Sequence, residues 1–330
     1  MEQPSAEAVW NLTEMELFAL LNSEATVGQP RQIHFYAPSF TYYQTSQFCS
    51  SAKDFPTVSV TGDACTLNCK HCAGKVLETM QSAETPEKLL RLCAMLKEKG
   101  AKGVLISGGC LPDGSVPLKE FIPVIAEIKR NLGFTVFVHT GLVDAETAKQ
   151  LKKACVDAVL IDVIGSDETI KEVYNLNAST RGYADSLRAL DEAGIVFVPH
   201  VITGLHHGKL KGELDALKII AKHKPSAIVI ISFMPIPGTP MAKTKPPSPA
   251  DIARTAAAAR ALFPRTPLVL GCMRPKGRHR AETDVLAMKA GVDGVAFPSE
   301  EAISYAEKQG YRVVYSSFCC AQIYEDLVAK

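Results

Sequence analysis

The chain has 330 residues, of which 47% are hydrophobic and 22% charged, with a formal net charge of +1 and ten cysteines. That length allows one large barrel or two ordinary domains with a sizeable buried core. The near-neutral charge does not mark a nucleic-acid or membrane-surface binder, and no apolar run reaches the roughly 18 residues that span a bilayer.

The chain opens on MEQPSAEAVWNLTEMELFALL, acidic and amphipathic, with Leu, Phe and Ala at helical spacing. It has neither the basic start nor the apolar block of a signal peptide, so a cytoplasmic location is the expectation. In an intracellular chain of this size, clustered cysteines point to metal binding or redox chemistry rather than to disulfides.

From residue 57 onward, short β-branched runs alternate with amphipathic stretches. The runs are TVSVTG at 57, GVLISG at 103, TVFVHT at 135, AVLIDV at 158, VFVPHV at 196, AIVIIS at 227, PLVLG at 267 and GVAF at 294. Their near-continuous apolar character suits strands buried on both faces of a parallel sheet. Thr85-Pro86 and Ser248-Pro249 each read as an N-cap followed by proline at the first helical position. Eight such units predict an α/β fold, a (β/α)8 TIM-type barrel over 57–310, with a helical N-terminal arm over 1–56 and a tail over 311–330. A doubly wound open sheet gives the same local pattern.

The segment TGDACTLNCKHCAG follows the first run directly and sets Cys65, Cys69 and Cys72 at a Cys-x3-Cys-x2-Cys spacing. Three thiolates on one short loop can hold three irons of a cubane cluster and leave the fourth open to a small molecule. Zinc is the rival reading, but it wants a fourth ligand. His71 sits directly beside Cys72, where a small chelate is hard to close.

This loop after a first barrel strand resembles the radical S-adenosylmethionine (SAM) superfamily. The resemblance implies a [4Fe–4S] cluster on Cys65, Cys69 and Cys72, whose open iron chelates SAM. Reductive cleavage to a 5′-deoxyadenosyl radical is the implied activity. It puts His71 near adenine, where the family usually has an aromatic residue. Ser107-Gly108-Gly109 resembles the family's GGE motif, so Gly108 and Gly109 are implied contacts of the methionine ammonium, although Cys110 replaces the glutamate. Asp162 falls where relatives contact the ribose hydroxyls, and Arg181, in SerThrArgGlyTyr, where an arginine pairs the SAM carboxylate. Thr203 and Gly204 end the fifth strand. Pro237 lies in PIPGTPM, a segment similar to one near adenine in biotin synthase. Read alone, Gly108-Gly109 is a strand-to-helix turn, Asp162 a helix cap and Arg181 a solvated charge.

The spacing of these segments resembles the biotin synthase branch, which includes lipoyl synthase-like proteins and hydrogenase maturases. Biotin synthase holds a second cluster partly through an arginine on its seventh strand, which nominates Arg274. Cys49, Cys272, Cys319 and Cys320 are candidate ligands of a second Fe–S cluster; as plain residues they are a loop cysteine, a buried cysteine and an inert tail pair. Ser316-Ser317-Phe318 resembles a lipoyl synthase motif. The absence of three cysteines before the main loop excludes an ordinary lipoyl synthase and leaves the two-component type. The eight residues from Tyr311 to Phe318, at about 3.3 Å each, span roughly 26 Å, enough for the tail to return along the barrel. Sulfur insertion into an unactivated C–H bond is one implied reaction; rearrangement, methylation and cofactor assembly stand beside it, and an electron-transfer Fe–S protein is the non-enzymatic rival. The implied partners are a small-molecule or carrier-protein-bound substrate and a low-potential reductant such as flavodoxin or ferredoxin, with no nucleic acid and no membrane. Cys93 and Cys155, on apolar helix faces, are expected in the core.

Overall fold

The expected strands form because their side chains alternate between two apolar environments. In the computed structural model, which describes residues 4–23, 32–39, 42–51 and 53–327, eleven parallel strands make one curled sheet. They are β1 (Gln32–Tyr36), β2 (Thr57–Ser59), β3 (Gln81–Ser82), β4 (Gly103–Ser107), β5 (Thr135–His139), β6 (Ala158–Asp162), β7 (Phe197–Thr203), β8 (Ile228–Ser232), β9 (Leu268–Leu270), β10 (Gly294–Ala296) and β11 (Arg312–Ser316). The order across the sheet is β11-β1-β10-β9-β8-β7-β6-β5-β4-β2-β3. All eight expected runs are present, as β2 and β4 to β10, in sequential order with helices between them.

The arm and the tail differ from the expected boundaries. Each carries a sheet strand: β1 pairs with β10 on one side and with β11 on the other. The physical reason is the row of unpaired backbone groups that β10 would otherwise present as an edge. The arm is also tied down by Arg254, whose Nη1 donates to the carbonyls of Val9, Trp10 and Leu12 at 3.2, 2.9 and 2.6 Å. Among the described residues, β3 and β11 share no ladder. Residues next to β2 and β11 meet instead through side chains: Ser317 Oγ donates to Asp54, and the Phe318 ring lies 5.4 Å from that of Phe55.

Period-two alternation sorts the strand residues. Val136, Val138, Val159 and Ile161 face the helices. Phe137, Ala158, Leu160, Val198, Val229 and Val269 face the sheet's interior, where the tail residues Cys320, Ala321 and Ile323 join them. The next inward positions on three of these strands are polar: His139, Asp162 and His200. The interior therefore has an apolar floor and a polar mouth at the C-terminal strand ends, where catalytic residues sit in barrels of this kind.

The helices start as expected. Thr85 caps Pro86–Glu98 by accepting from Lys88 N, and Ser248 and Asp251 form a reciprocal capping box on Pro249–Leu262. Cys93 is buried as expected. Cys155 is not: it is exposed, in the left-handed conformation at φ 57°, in the turn that follows the helix Ala145–Lys153.

Arg274 is fully buried. Its Nε donates to Asp284 Oδ1 at 2.7 Å, Nη1 to Gly271 O at 2.5 Å and Nη2 to Phe297 O at 3.2 Å. Asp284 in turn accepts from Ser299 N at 2.9 Å. This pair ties the ends of β9 and β10 to the helix Arg278–Lys289, a structural use for the arginine nominated as a cluster ligand. Replacing one partner strands a buried charge. Arg274→Ala is expected to destabilise the protein by about 3–5 kcal/mol, and Arg274→Met with Asp284→Leu to recover most of that, as read from urea unfolding midpoints.

Candidate functional site

The cysteine loop leaves β2 through Ser59, whose Oγ donates to Gly62 O at 2.6 Å. It then turns tightly: Cys72 N and Ala73 N both reach Cys69 O, at 3.2 and 2.7 Å. Asn68 and Ala73 take left-handed conformations at φ 44° and 46°. For alanine this is an uncommon, costly conformation of the kind held at functional sites.

Three segments clamp the loop. The first is the end of β4. Gly109 N donates to Thr61 Oγ1 at 2.7 Å, Thr66 N to Cys110 O at 2.9 Å, and Cys110 N points at Cys65 Sγ at 3.4 Å. A Cβ on Gly109 would stand 2.0 Å from Ala64 O and 2.6 Å from Cys65 Cβ, so only glycine permits this approach. The second is the end of the helix Asp167–Tyr174. Lys70 N donates to Val173 O at 2.8 Å, Asn175 Nδ2 to the carbonyls of Leu67 and Asn68 at 3.1 and 3.0 Å, and Cys69 Sγ lies 3.5 Å from Tyr174 O. The Tyr174 ring packs 5.1 Å from His71. The third is PIPGTPM, where Met241 N reaches Lys70 O at 3.3 Å.

Electrostatics favour one thiolate of the neighbouring pair, that of Cys72. Hydrogen bonding from Cys69, helped by His71, pulls the Cys72 thiol below its ordinary value, and the same shared proton and burial push Cys69 up. A soft metal or iron centre would take both as thiolates. Ligand atoms of Cys69, His71 and Cys72 lie within 4.8 Å of one another. Two buried polar atoms around the mouth have no partner among the described residues: His71 Nδ1 and Thr203 Oγ1. Two sulfurs held together at Cys69 and Cys72, a third on the same loop at Cys65 with a backbone N–H aimed at it, and orphaned polar atoms alongside fit a [4Fe–4S] cluster with a polar small molecule beside it.

The other expected site residues are distributed as follows. Gly108 and Gly109 flank the loop. Asp162 lies deep at the mouth. Burial would raise its pKa, but His139 first, then His200 and His71, more than offset this and hold the carboxyl below its ordinary value. Pro237 is exposed on the segment that touches the loop. Arg181 is 87% exposed and pairs with Asp185 on its own helix at 3.8 Å, outside the pocket. Cys272, Cys319 and Cys320 border one apolar patch, and burial, then Cys319, pushes the Cys272 thiol up to about 11. Cys49 is exposed, its sulfur near Ser50 O.

The sequence reading missed Tyr174, Asn175, His139 and His200. The two histidines interrupt apolar runs at the inward parity, a signal present in the sequence. Burial lowers the His200 pKa to about 4, so its imidazole is neutral.

Residues 59–218 match the family model of the Radical SAM superfamily. Among curated proteins, the chain is 26% identical over 294 residues to biotin synthase from Legionella pneumophila (strain Paris), covering 86% of this chain and 90% of that protein. It is 25% identical over 312 residues to biotin synthase from Zymomonas mobilis, covering 90% and 87%. Among solved structures it resembles HydG, a maturase of the [FeFe]-hydrogenase, with a TM-score of 0.60 at 20% identity over 97% of this chain and 76% of that one. It also resembles methylornithine synthase, with a TM-score of 0.60 at 16% identity over 98% and 99%. These two likenesses bear on the fold. No helix among the described residues is long and apolar enough to cross a membrane.

Gly109→Ala forces the β4 end off the loop that carries the cysteines. The variant is expected to take up less than about half the iron of the unaltered protein on anaerobic reconstitution, with an unchanged far-ultraviolet circular dichroism spectrum. Iron uptake equal to the unaltered protein would show that the close approach is dispensable.

Proposed function

Because the chain belongs to the radical SAM superfamily, on its biotin synthase-like branch, we propose that Cys65, Cys69 and Cys72 hold the [4Fe–4S] cluster and that the polar mouth beside them binds SAM. When bound, the cluster supplies the electron that cleaves SAM to a 5′-deoxyadenosyl radical, which abstracts hydrogen from a substrate. The residues of this chain do the rest. Cys110 N steadies the charge on Cys65 Sγ. Gly108 and Gly109 leave backbone room for the methionine moiety, and His71, seated on Tyr174, offers its face and a free Nδ1 to the adenine side. Asp162 stands ready for ribose hydroxyls, Thr203 for a polar group of SAM, and Pro237 walls the adenine side. Arg181 would leave Asp185 to reach the carboxylate. A low-potential electron donor completes the cycle. The observation that carries this reading is the cradle that Gly109 opens around Ala64 and Cys65.

Cys69→Ala is expected to lower 5′-deoxyadenosine formation from SAM and dithionite to background while the protein stays folded; formation at the unaltered rate would sink the reading. A second variant separates ligand binding from folding. Thr203 Oγ1 is buried without a partner, so Thr203→Val should leave unfolding stability equal or slightly higher. It should weaken SAM binding by about tenfold, about 1.4 kcal/mol, as read by equilibrium dialysis.

Sulfur insertion, on a small molecule or on a group carried by a protein, is the finer reading. It is supported by Cys272, Cys319 and Cys320 around one patch, which offer a second cluster its thiolates. Cys49, the fourth candidate, is exposed on its loop. Under this reading Cys272→Ala/Cys319→Ala loses about four irons per chain, the content of one cubane, and keeps SAM cleavage. Equal iron content leaves rearrangement, methylation or cofactor assembly as the chemistry.

A further inference from the structure

Three ligating side chains outside the cysteine loop converge inside the sheet. His139 ends β5, Asp162 ends β6 and His200 stands midway along β7. The strands are adjacent, with Leu160 opposite His139 and His200 opposite Asp162 in the ladders. Each residue follows an inward-facing apolar residue two positions back, namely Phe137, Leu160 and Val198. One ring nitrogen of each histidine and one carboxylate oxygen all lie within 4.8 Å of one another.

Two details favour a metal ion over a simple buried ion pair. His200 Nδ1 lies 3.1 Å from Val198 O. A carbonyl only accepts, so the proton sits on Nδ1 and the Nε2 lone pair is free, the orientation in which ligating histidines are usually held. A His139–Asp162 pair would account for two of the three residues and leave that free nitrogen without a use. The contact between His139 and Asp162 is also loose: His139 Nε2 stands 3.5 Å from Asp162 Oδ1, long for a charge-assisted hydrogen bond. Metal–ligand bonds of about 2.0–2.1 Å at tetrahedral angles put ligand atoms about 3.3 Å apart. The His139–Asp162 distance already meets that, and the remaining separations close by about 1.5 Å at most. The side chains of His139 and Asp162 keep 25% and 27% of their surface, so the group is open on the mouth side.

We propose that His139, Asp162 and His200 bind one divalent cation of the zinc or iron(II) class, leaving coordination positions open to the mouth for an oxygen or nitrogen atom of the substrate. Two imidazoles and a carboxylate with open positions are a donor set that suits such ions. The site stands independently of the SAM reading, except that it gives Asp162 a partner other than ribose.

The test uses Co2+ as the probe, titrated anaerobically into the full chain carrying Cys65→Ser, Cys69→Ser and Cys72→Ser and followed by visible absorption. One equivalent is expected to bind, and adding His139→Asn or His200→Asn should weaken that binding by at least about tenfold. No binding to a normally folded triple variant, or affinity indifferent to both histidine changes, overturns the proposal. SAM affinity that falls in the histidine variants while Co2+ binding stays intact also overturns it and assigns the residues to the SAM pocket. Should the triple variant not fold, cluster-loaded unaltered protein and His200→Asn are each incubated with Zn2+, desalted and analysed for metal. The unaltered protein is expected to retain one more zinc per chain, and equal zinc refutes the site.

Discussion

The approach of β4 to the cysteine loop is the constraint on which the rest depends. Gly109 has no Cβ, and the space one would need is taken by Ala64 O and Cys65. That contact lets Cys110 N face the Cys65 sulfur and lets Thr66 N pair with Cys110 O. It fixes where the Cys65 sulfur stands relative to the strand ends. The left-handed turn at Ala73 then brings Cys72 back beside Cys69. The strain of that turn is held by clamps from outside the loop, at Val173, Asn175 and Met241, rather than by the loop's own sequence.

A second constraint is parity. Because side chains alternate along β5, β6 and β7, residues two apart share an environment. An apolar floor at Phe137, Ala158 and Val198 therefore brings the polar residues above it onto the same inner face. The cysteine loop, His139, Asp162 and His200 come from different parts of the sequence and share the mouth for that reason. Two buried polar atoms without partners, His71 Nδ1 and Thr203 Oγ1, stand there, and a ligand-binding mouth is one of the places where a fold keeps such groups.

Much of this was legible in the sequence. The eight apolar runs mark eight real strands because buried parallel strands need apolar side chains on both faces. The loop of Cys65, Cys69 and Cys72 was legible as a candidate site because its spacing is local. What failed was long-range. QIHFY and RVVYS are short, and nothing in either announces that it pairs beside GVAF, so the arm and tail read as appendages. Arg274 read as a cluster ligand because its partner, Asp284, comes from the following helix. Cys155 read as core because a helix end shifts by a residue or two, enough to move a side chain outside. His139 and His200 were overlooked although their parity was visible, and Tyr174 and Asn175 show their role only once the helix end meets the loop.

The most direct test of the central claim, that three thiolates leave one iron free for SAM, is electron–nuclear double resonance. The cluster-loaded, reduced protein would be measured with SAM isotopically labelled at its amino nitrogen. The account expects a hyperfine coupling between the label and the cluster spin, absent without SAM. A cluster signal that SAM leaves unchanged, with no coupling to the label, would contradict it.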